Sequence, residues 1–203
     1  NALSDMYHPC QAMADMMTII EKFNNPEGKK LVMSWAYSPS PWKPTSVPQS
    51  IVLLATKFGM DVVLAHPKGL EIDPKIVEKA KQYADTYGGS FEICYDMKEA
   101  CDGADIVYAK SWTSLKFLPP NTEKPEFDKI MELFNKHKDW ICNMDIMDRC
   151  SRKAIYMHCM PVDRGYEATN EVLESPRSVI FDQAENRLHA QKAIMVLTMG
   201  GRI

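Results

Sequence analysis

The 203-residue sequence lacks the features that mark membrane, exported, disulfide-rich and zinc-binding proteins. It has no run of about 18 apolar residues, and its first residues lack the basic and apolar regions of a secretory signal. Its six cysteines include no C-x-x-C pair and no His-rich spacing. We therefore expect a cytoplasmic protein with free thiols, which neither spans a membrane nor is exported.

The sequence also lacks an excess of charge of one sign. It has 24 Lys+Arg against 27 Asp+Glu, a net charge of −3, so a surface that wraps nucleic acid is not expected. Two glycine motifs are missing as well. No G-x-G-x-x-G follows a predicted strand and no G-x-x-x-x-G-K-[ST] occurs, so dinucleotide and nucleoside-triphosphate binding lose their main support.

What the sequence does contain is an alternation of strands and helices. A helical pattern over residues 50–58 is closed by Gly59, and another over 74–87 follows Asp73 as N-cap. The alternation predicts a doubly wound α/β domain, with a mostly parallel sheet of five or six strands and helices on both faces. The strands are predicted from apolar, β-branched-rich runs at 31–36, 61–66, 90–95, 105–110, 153–157 and 178–182.

Residues 113–140 depart from this rhythm and predict an excursion with one amphipathic helix, 125–137, which is either a lid or an insertion. At 45% hydrophobic residues, a chain of this length can bury the core of one large domain or two small ones.

Sheets of this kind bind ligands beyond the carboxyl ends of their strands. The first strand is followed by a Pro-rich segment, residues 37–48, with four prolines. The fourth strand is followed by Lys110-Ser111-Trp112, and the fifth by His158-Cys159-Met160-Pro161. Pro41 to Pro44 also fits a PxxP ligand, but its position between a strand and a helix favours a shaped loop.

His8, Pro9 and Gln11 begin a helical pattern that runs to Phe23. Pro9 suits the first helical position, which makes His8 the N-cap. A ring N–H and an amide at a helix N-terminus suit a bound anion or a polarised carbonyl. The alternative is that His8 is a simple cap.

Two further stretches contain candidate site residues. His158 and Cys159 are neighbours on a strand end and point to opposite faces, which disfavours a thiolate nucleophile and leaves a substrate-contacting thiol or a small buried hydrophobe. Arg187 and Lys192 are positioned to hold an anionic substrate; the alternative is a solvated first turn in which Glu185 complements the helix dipole.

Three motifs together resemble those of the aspartate/ornithine carbamoyltransferase family. They are H-P-x-Q at His8 to Gln11, H-C-[LM]-P at His158 to Pro161, and E-N-R-x-H-x-x-K-A beginning at Glu185. The resemblance implies that His8, Arg187 and Cys159 are catalytic and that no cofactor or metal takes part. The substrate-binding residues that it implies are Gln11, Lys110, Trp112, His158, Met160 and Lys192.

Within that family the chain looks most like the knotted subgroup, which includes the N-acetylornithine and N-succinylornithine carbamoyltransferases. The Pro-rich segment resembles the loop through which the later chain is threaded there. Enzymes for free ornithine have D-x-W where this chain has Lys110-Ser111-Trp112, an S-M-G motif that is absent here, and an Asn-rich turn that Ser38 to Pro41 replace. The resemblance therefore implies an ornithine derivative or a related amine as acceptor.

Lys110 has a separate argument from its place in the sequence. It follows a predicted strand and should face the amino-acid pocket, where an ammonium repels a second amine and pairs with a carboxylate. The alternative is that Lys110 extends to water at the strand end.

The family's S-x-R-T-R phosphate loop does not occur in this sequence. The chain therefore resembles one amino-acid-binding domain over residues 1–203, with half of a carbamoyl-phosphate site, and by itself it should be inactive. The implied partners are carbamoyl phosphate, an amino acid and further copies in a homotrimer. Two other hypotheses are a non-catalytic amino-acid-binding or regulatory module and, more weakly, a dinucleotide oxidoreductase.

Overall fold

Five parallel strands form the central sheet of the computed structural model, which describes residues 1–200. Their order across the sheet is β3-β2-β1-β4-β5. Every neighbouring pair is parallel, which confirms the predicted doubly wound α/β class. The strands are β1 Lys30–Trp35, β2 Asp61–Ala65, β3 Ser90–Cys94, β4 Ile106–Lys110 and β5 Ile155–Met157.

The helices form two packed groups. Helices α1, α2, α3 and α8 pack against one another, and α4, α6 and α7 form the second group. Apolar side chains of β1 and β4 are buried between these layers, as parallel strands require. The helices are α1 Pro9–Phe23, α2 Ser46–Lys57, α3 Pro74–Tyr87, α4 Met97–Cys101, α5 Phe127–Asn135, α6 Met144–Arg149, α7 Asn170–Leu173 and α8 Ile180–Thr198; Leu115–Phe117 form a short 3-10 helix.

The predicted sixth strand, 178–182, is wrong. Ser178 makes only an isolated bridge to Tyr156, and α8 begins at Ile180. The run places Ile180 in the core and leaves Phe181 65% exposed, which a strand buried on both faces does not allow. A short apolar run gives the same periodicity signal for a strand and for the first turn of a helix.

Two predicted helix boundaries also change. The helix predicted at 50–58 begins at Ser46, because Pro48 is tolerated in a first turn, where its missing N–H has no helical partner. The helix predicted at 125–137 is shorter, Phe127–Asn135. By contrast α3 has its predicted bounds, and the Asp73 side chain accepts a hydrogen bond of 2.8 Å from the Lys75 N–H as its N-cap.

The sheet order fixes where a ligand can enter. Strands β1 and β4 are neighbours in the sheet. The connection after β1 leads to β2 on one side, and the connection after β4 leads toward β5 on the other side. A crevice opens at such a switch point, beyond the carboxyl ends of the strands. Among residues 1–200, none of the helices combines the length and apolar character needed to cross a membrane.

Candidate functional site

A cleft of about 330 Å³ lies at this switch point. It is lined by residues from α1, the β1–α2 connection, the end of β4, the segment after β5, and α8. Of the nine site residues predicted from the sequence, the six that line it are His8, Gln11, Lys110, Cys159, Met160 and Arg187. The fold thus brings together three motifs that are far apart in sequence.

One group in the cleft joins the start of α1 to α8. The Arg187 guanidinium donates through Nη1 to Gln11 Oε1, and the same nitrogen lies 3.4 Å from His8 Nε2. Arg187 Nε is buried and has no hydrogen-bond partner among residues 1–200. Arg187 lines the cleft, and a guanidinium there is suited to an anionic or carbonyl oxygen.

His8 occupies the N-cap position of α1, as predicted, but its side chain makes no capping hydrogen bond. Its Nδ1 lies 3.1 Å from the Ala2 carbonyl oxygen, which can only accept, so Nδ1 carries the proton and Nε2 is the acceptor facing Arg187. Burial and then the Arg187 charge lower the His8 pKa. His8 therefore presents a neutral ring with a lone pair, rather than the expected N–H, to the cleft.

Behind this group lies Asp15, which is 0% exposed. Its Oδ1 accepts hydrogen bonds of 2.6 Å from Gln11 Nε2 and 2.6 Å from Gln183 Nε2, and its Oδ2 lies 3.4 Å from the Tyr108 hydroxyl. Burial raises the pKa of Asp15 to about 7, although these donors and the charge of Arg187 oppose the shift. The carboxyl is thus poised between its two charge states at neutral pH.

The segment after β5 is held by His158 and Glu167. The His158 ring accepts from the Met160 N–H at Nδ1 (3.0 Å), so its Nε2 carries the proton and faces Glu167 at 3.2 Å. Glu167 also accepts from the backbone N–H groups of Ser111 and Asp163, each at 2.7 Å. Burial alone would raise the pKa of Glu167, but the His158 contact and these N–H groups lower it to about 2.

Cys159 lines the cleft beside Lys110. Burial raises the pKa of its thiol to about 11, while the Lys110 charge acts in the opposite direction. The thiol is protonated at neutral pH, which agrees with the expectation that Cys159 is not a thiolate nucleophile.

Two ammonium groups form the second group in the cleft. Lys110 is 5% exposed, so it does not extend to bulk water, and its Nζ donates to the Ser111 carbonyl at 2.8 Å. Burial lowers its pKa, and the nearby Cys159 and Glu167 act against that shift. Lys43, from the Pro-rich segment, pairs with Asp163 at 2.7 Å.

The Pro-rich segment therefore contacts the chain that follows β5. Ser38 Oγ donates to Asp163 Oδ2 at 2.7 Å, and Lys43 binds the same oxygen. In the knotted subgroup that this chain resembles, the later chain is threaded through the loop that corresponds to the Pro-rich segment. The threading of a knot stays a prediction.

Three predicted residues do not line the cleft. His158 acts behind it, on Met160 and Glu167. Trp112 is buried in the core, with its indole N–H bound to the Leu70 carbonyl at 2.8 Å. Lys192 is exposed on α8, and five residues beyond Arg187 places it about 140° around the helix. The geometry of this chain gives Trp112 and Lys192 no direct contact with a molecule in the cleft.

Sequence reasoning missed Asp15, Lys43, Asp163, Glu167 and Gln183. A signal existed for Asp15, because it lies four residues after Gln11 and so shares its helix face. No comparable signal exists for Glu167, whose partners are distant in sequence. No three His, Cys, Asp or Glu side chains in the described part of the chain are grouped to hold a metal ion.

Comparison with known proteins gives consistent matches. Residues 42–198 match the family model "Aspartate/ornithine carbamoyltransferase, Asp/Orn binding domain". The chain is 42% identical over 201 residues to the ornithine carbamoyltransferase of Thermococcus kodakarensis, covering 99% of this chain and 59% of the relative. It is 41% identical over 204 residues to the putative carbamoyltransferase YgeW of Escherichia coli K12, covering 91% of this chain and 52% of the relative.

A solved structure gives the same result in three dimensions. An acetylornithine transcarbamylase complexed with acetylcitrulline superposes with a TM-score of 0.85 at 37% identity, over 94% of this chain and 56% of that one. The chain spans little more than half the length of these relatives.

The buried carboxyl predicts a pH dependence of stability. An acid whose pKa rises on folding stabilises the fold below its unfolded pKa and loses that contribution as pH rises through the folded pKa. For Asp15 the window runs from 3.8 to about 7. At about 1.4 kcal/mol per pKa unit, the loss is on the order of 4 kcal/mol. Urea unfolding should show wild type losing stability relative to Asp15→Asn between pH 4 and 7.5.

The matched control is Asp85→Asn, because Asp85 is exposed on α3. Its stability difference from wild type should stay constant over the same pH range. A constant difference for Asp15→Asn as well would contradict a raised Asp15 pKa.

Proposed function

The chain belongs to the aspartate/ornithine carbamoyltransferase family, and from that membership we propose that it is the amino-acid-binding domain, over its full length, of an enzyme that transfers the carbamoyl group of carbamoyl phosphate to an amine. The acceptor is an amine that also carries a carboxylate or an acyl-blocked group within reach of Lys110, such as an ornithine derivative or related amine rather than free ornithine. One observation carries the proposal. The guanidinium side chain of Arg187 and the side chains of Lys43 and Lys110 line the same cleft.

The proposed reaction needs the carbamoyl group held by His8, Gln11 and Arg187. It also needs the amine held near Lys43 and Lys110. The amine nitrogen attacks the carbamoyl carbon, the carbonyl oxygen becomes an oxyanion, and the carbon–oxygen bond to phosphate then breaks with its electron pair leaving on phosphate. The amine nitrogen gives up a proton to the departing phosphate, and the oxyanion returns to a carbonyl. Each step moves charge toward oxygen, so donors aimed at those oxygens lower the barrier.

Arg187 is the donor that suits the developing oxyanion, because its guanidinium lines the cleft and has N–H groups beyond the one that binds Gln11. A single such donor is worth about 3–4 kcal/mol in comparable enzymes. Gln11 Oε1 and His8 Nε2 are acceptors and suit the carbamoyl NH2 group, whose two hydrogens need partners. Together these three side chains orient the carbamoyl plane before attack.

Lys110 and Lys43 define the acceptor. Both are cations in a largely buried cleft, and each already has oxygen partners, Ser111 O for Lys110 and Asp163 for Lys43. A substrate carboxylate gains charge-assisted hydrogen bonds there, whereas a second free ammonium meets like charge. The similar proteins differ in their acceptor, since one is an ornithine carbamoyltransferase and another an acetylornithine transcarbamylase.

The remaining parts of the proposal extend beyond this chain. Cations for the departing phosphate come from a carbamoyl-phosphate domain, because the S-x-R-T-R loop does not occur in the sequence. The working enzyme is a cytoplasmic homotrimer in this proposal.

The first prediction concerns the chain alone. Without the phosphate loop, the transition state loses several charge-assisted hydrogen bonds at once, so the 203-residue chain should form no carbamoylated product. Product formation is measured with radiolabelled carbamoyl phosphate and a panel of carboxylate-bearing amines. A protein that joins this chain to its carbamoyl-phosphate domain is the positive control. Turnover by the purified chain alone would contradict the half-site assignment.

The second prediction separates chemistry from capping at His8. His8→Ala, in the joined protein, should lower kcat by more than tenfold, because the cleft loses an acceptor for the carbamoyl group. His8→Asn has a good N-cap residue but no imidazole. Its melting temperature should therefore return to that of wild type, while its kcat should stay as low as that of His8→Ala. Recovery of kcat by His8→Asn would show that His8 is a cap only.

The third prediction concerns acceptor choice by Lys110. Lys110→Met should raise KM for the preferred amine by about 10–100-fold, the equivalent of a charge-assisted hydrogen bond of about 1.5–3 kcal/mol, with KM for carbamoyl phosphate nearly constant. The control is Lys116→Met, since Lys116 is exposed and outside the cleft. An unaltered amine KM in Lys110→Met, or full wild-type activity on unmodified ornithine, would remove Lys110 as the selecting residue.

A further inference from the structure

Asp15 lies one helical turn beyond Gln11 on α1 and is completely buried. It does not line the cleft, and no motif singled out in the sequence includes it. Its neighbours are side chains of α1, β4 and α8: Gln11, Tyr108, Gln183 and the more distant Arg187. A carboxyl group at the meeting point of three elements costs free energy to bury, so its contacts need an explanation.

The explanation begins with the symmetry of an amide group. The oxygen and nitrogen of a glutamine side chain have nearly the same shape, so packing alone does not fix which one points where. The oxygen Asp15 Oδ1 accepts from the nitrogen of both Gln11 and Gln183, each at 2.6 Å. Both amide oxygens are therefore turned away from Asp15.

Each of these amide oxygens accepts a hydrogen bond from a group in or next to the cleft. Gln11 Oε1 accepts from Arg187, and Gln183 Oε1 accepts from the His158 N–H at 2.8 Å. A reversed Gln11 amide would place its NH2 group against the Arg187 guanidinium, so two donors would face each other. A reversed Gln183 amide would leave the buried His158 N–H facing a donor and without an acceptor, which is unfavourable.

We propose that Asp15 is a positioning residue that fixes the orientation of the Gln11 and Gln183 amides, and through them holds Arg187 and the backbone at His158 in place for carbamoyl transfer. The part of this inference that concerns transfer rests on the proposed function. Asp15 acts through its acceptor oxygen rather than through its charge, because both contacts that set the amides end on Oδ1. Asparagine retains such an oxygen, and leucine does not.

A purely structural role for Asp15 would be to tether α1 to α8. A second polar contact between the same helices already does this farther from the cleft, where Asn186 Nδ2 donates to Thr18 Oγ1 at 3.0 Å. Thr18 does not line the cleft, so this contact provides a matched control.

The first test observes the side-chain amides of Gln11 and Gln183 by NMR in the 203-residue chain. The side-chain NH2 signals of Gln11 and Gln183 are followed by nitrogen–proton NMR and assigned by their loss in Gln11→Ala and Gln183→Ala. Asp15→Leu should shift both pairs of signals and speed their exchange with water, whereas Asp15→Asn should keep them close to wild type. Asp15→Ser, whose short hydroxyl side chain falls short of both amides, replaces Asp15→Leu if the leucine variant does not fold.

The second test uses kinetics in the joined protein. Asp15→Leu should lower kcat/KM for carbamoyl phosphate by a factor on the order of 10–100, and Asp15→Asn by less than about fivefold. In a background that carries both Gln11→Ala and Gln183→Ala, Asp15→Leu should add less than about threefold, because residues that act through one another are not additive. Thr18→Val should lower the melting temperature without changing kcat.

Unmoved Gln11 signals in a folded Asp15→Leu or Asp15→Ser variant would overturn the proposal, as would a kinetic loss on Asp15→Leu that is fully retained when both Gln11 and Gln183 are alanine. The NMR result does not depend on turnover. If the joined wild-type protein transfers no carbamoyl group to any amine, the proposed function fails, while the NMR signals still decide whether Asp15 orients the two amides.

Discussion

The site depends on one topological constraint. Strands β1 and β4 are neighbours in the sheet, and the connections that follow them lead in opposite directions. Because one connection runs toward β2 and the other toward β5, no crossover covers the carboxyl ends of β1 and β4. Lys110 ends β4 at this point, and Lys43 follows β1. The helices α1 and α8 pack together beside it and bring Gln11 against Arg187. Residues separated by most of the chain meet there because the sheet order leaves the space open.

Burial then determines what these residues can do. His8 is neutral, the Cys159 thiol is protonated and Lys110 has a lowered pKa, and in each case removal from water is the largest cause. Glu167 is the exception, because His158 and two backbone N–H groups outweigh its burial. The cleft thus contains a negative charge, that of Glu167, whose Coulombic effect favours the charged form of Lys110.

Much of this arrangement follows from sequence patterns, and the exceptions have physical reasons. Five strands and the α3 helix were predicted because β-branched runs and an Asp-Pro start are local signals. The start of α8 was read as a strand because residues 178–182 are too short an apolar run to show a period. His8 and Arg187 were found as members of motifs. Glu167 was missed because its partners, His158 and Ser111, are brought to it only by the tertiary fold.

The charge states also bear on how the proposed reaction obtains its nucleophile. A protonated thiol at Cys159 is a poor base, and in the proposed function the lone pair of neutral His8 accepts from the carbamoyl NH2 group. In the proposed function neither Cys159 nor His8 takes the proton of the acceptor amine. The amine is therefore uncharged because its surroundings lower its pKa. Lys43 and Lys110 supply that influence, because a cation near an ammonium disfavours its charged form and lowers its pKa. In the proposed function, the two lysines that attract the acceptor's carboxylate therefore also favour the uncharged amine, so substrate selection and reactivity depend on one pair of side chains.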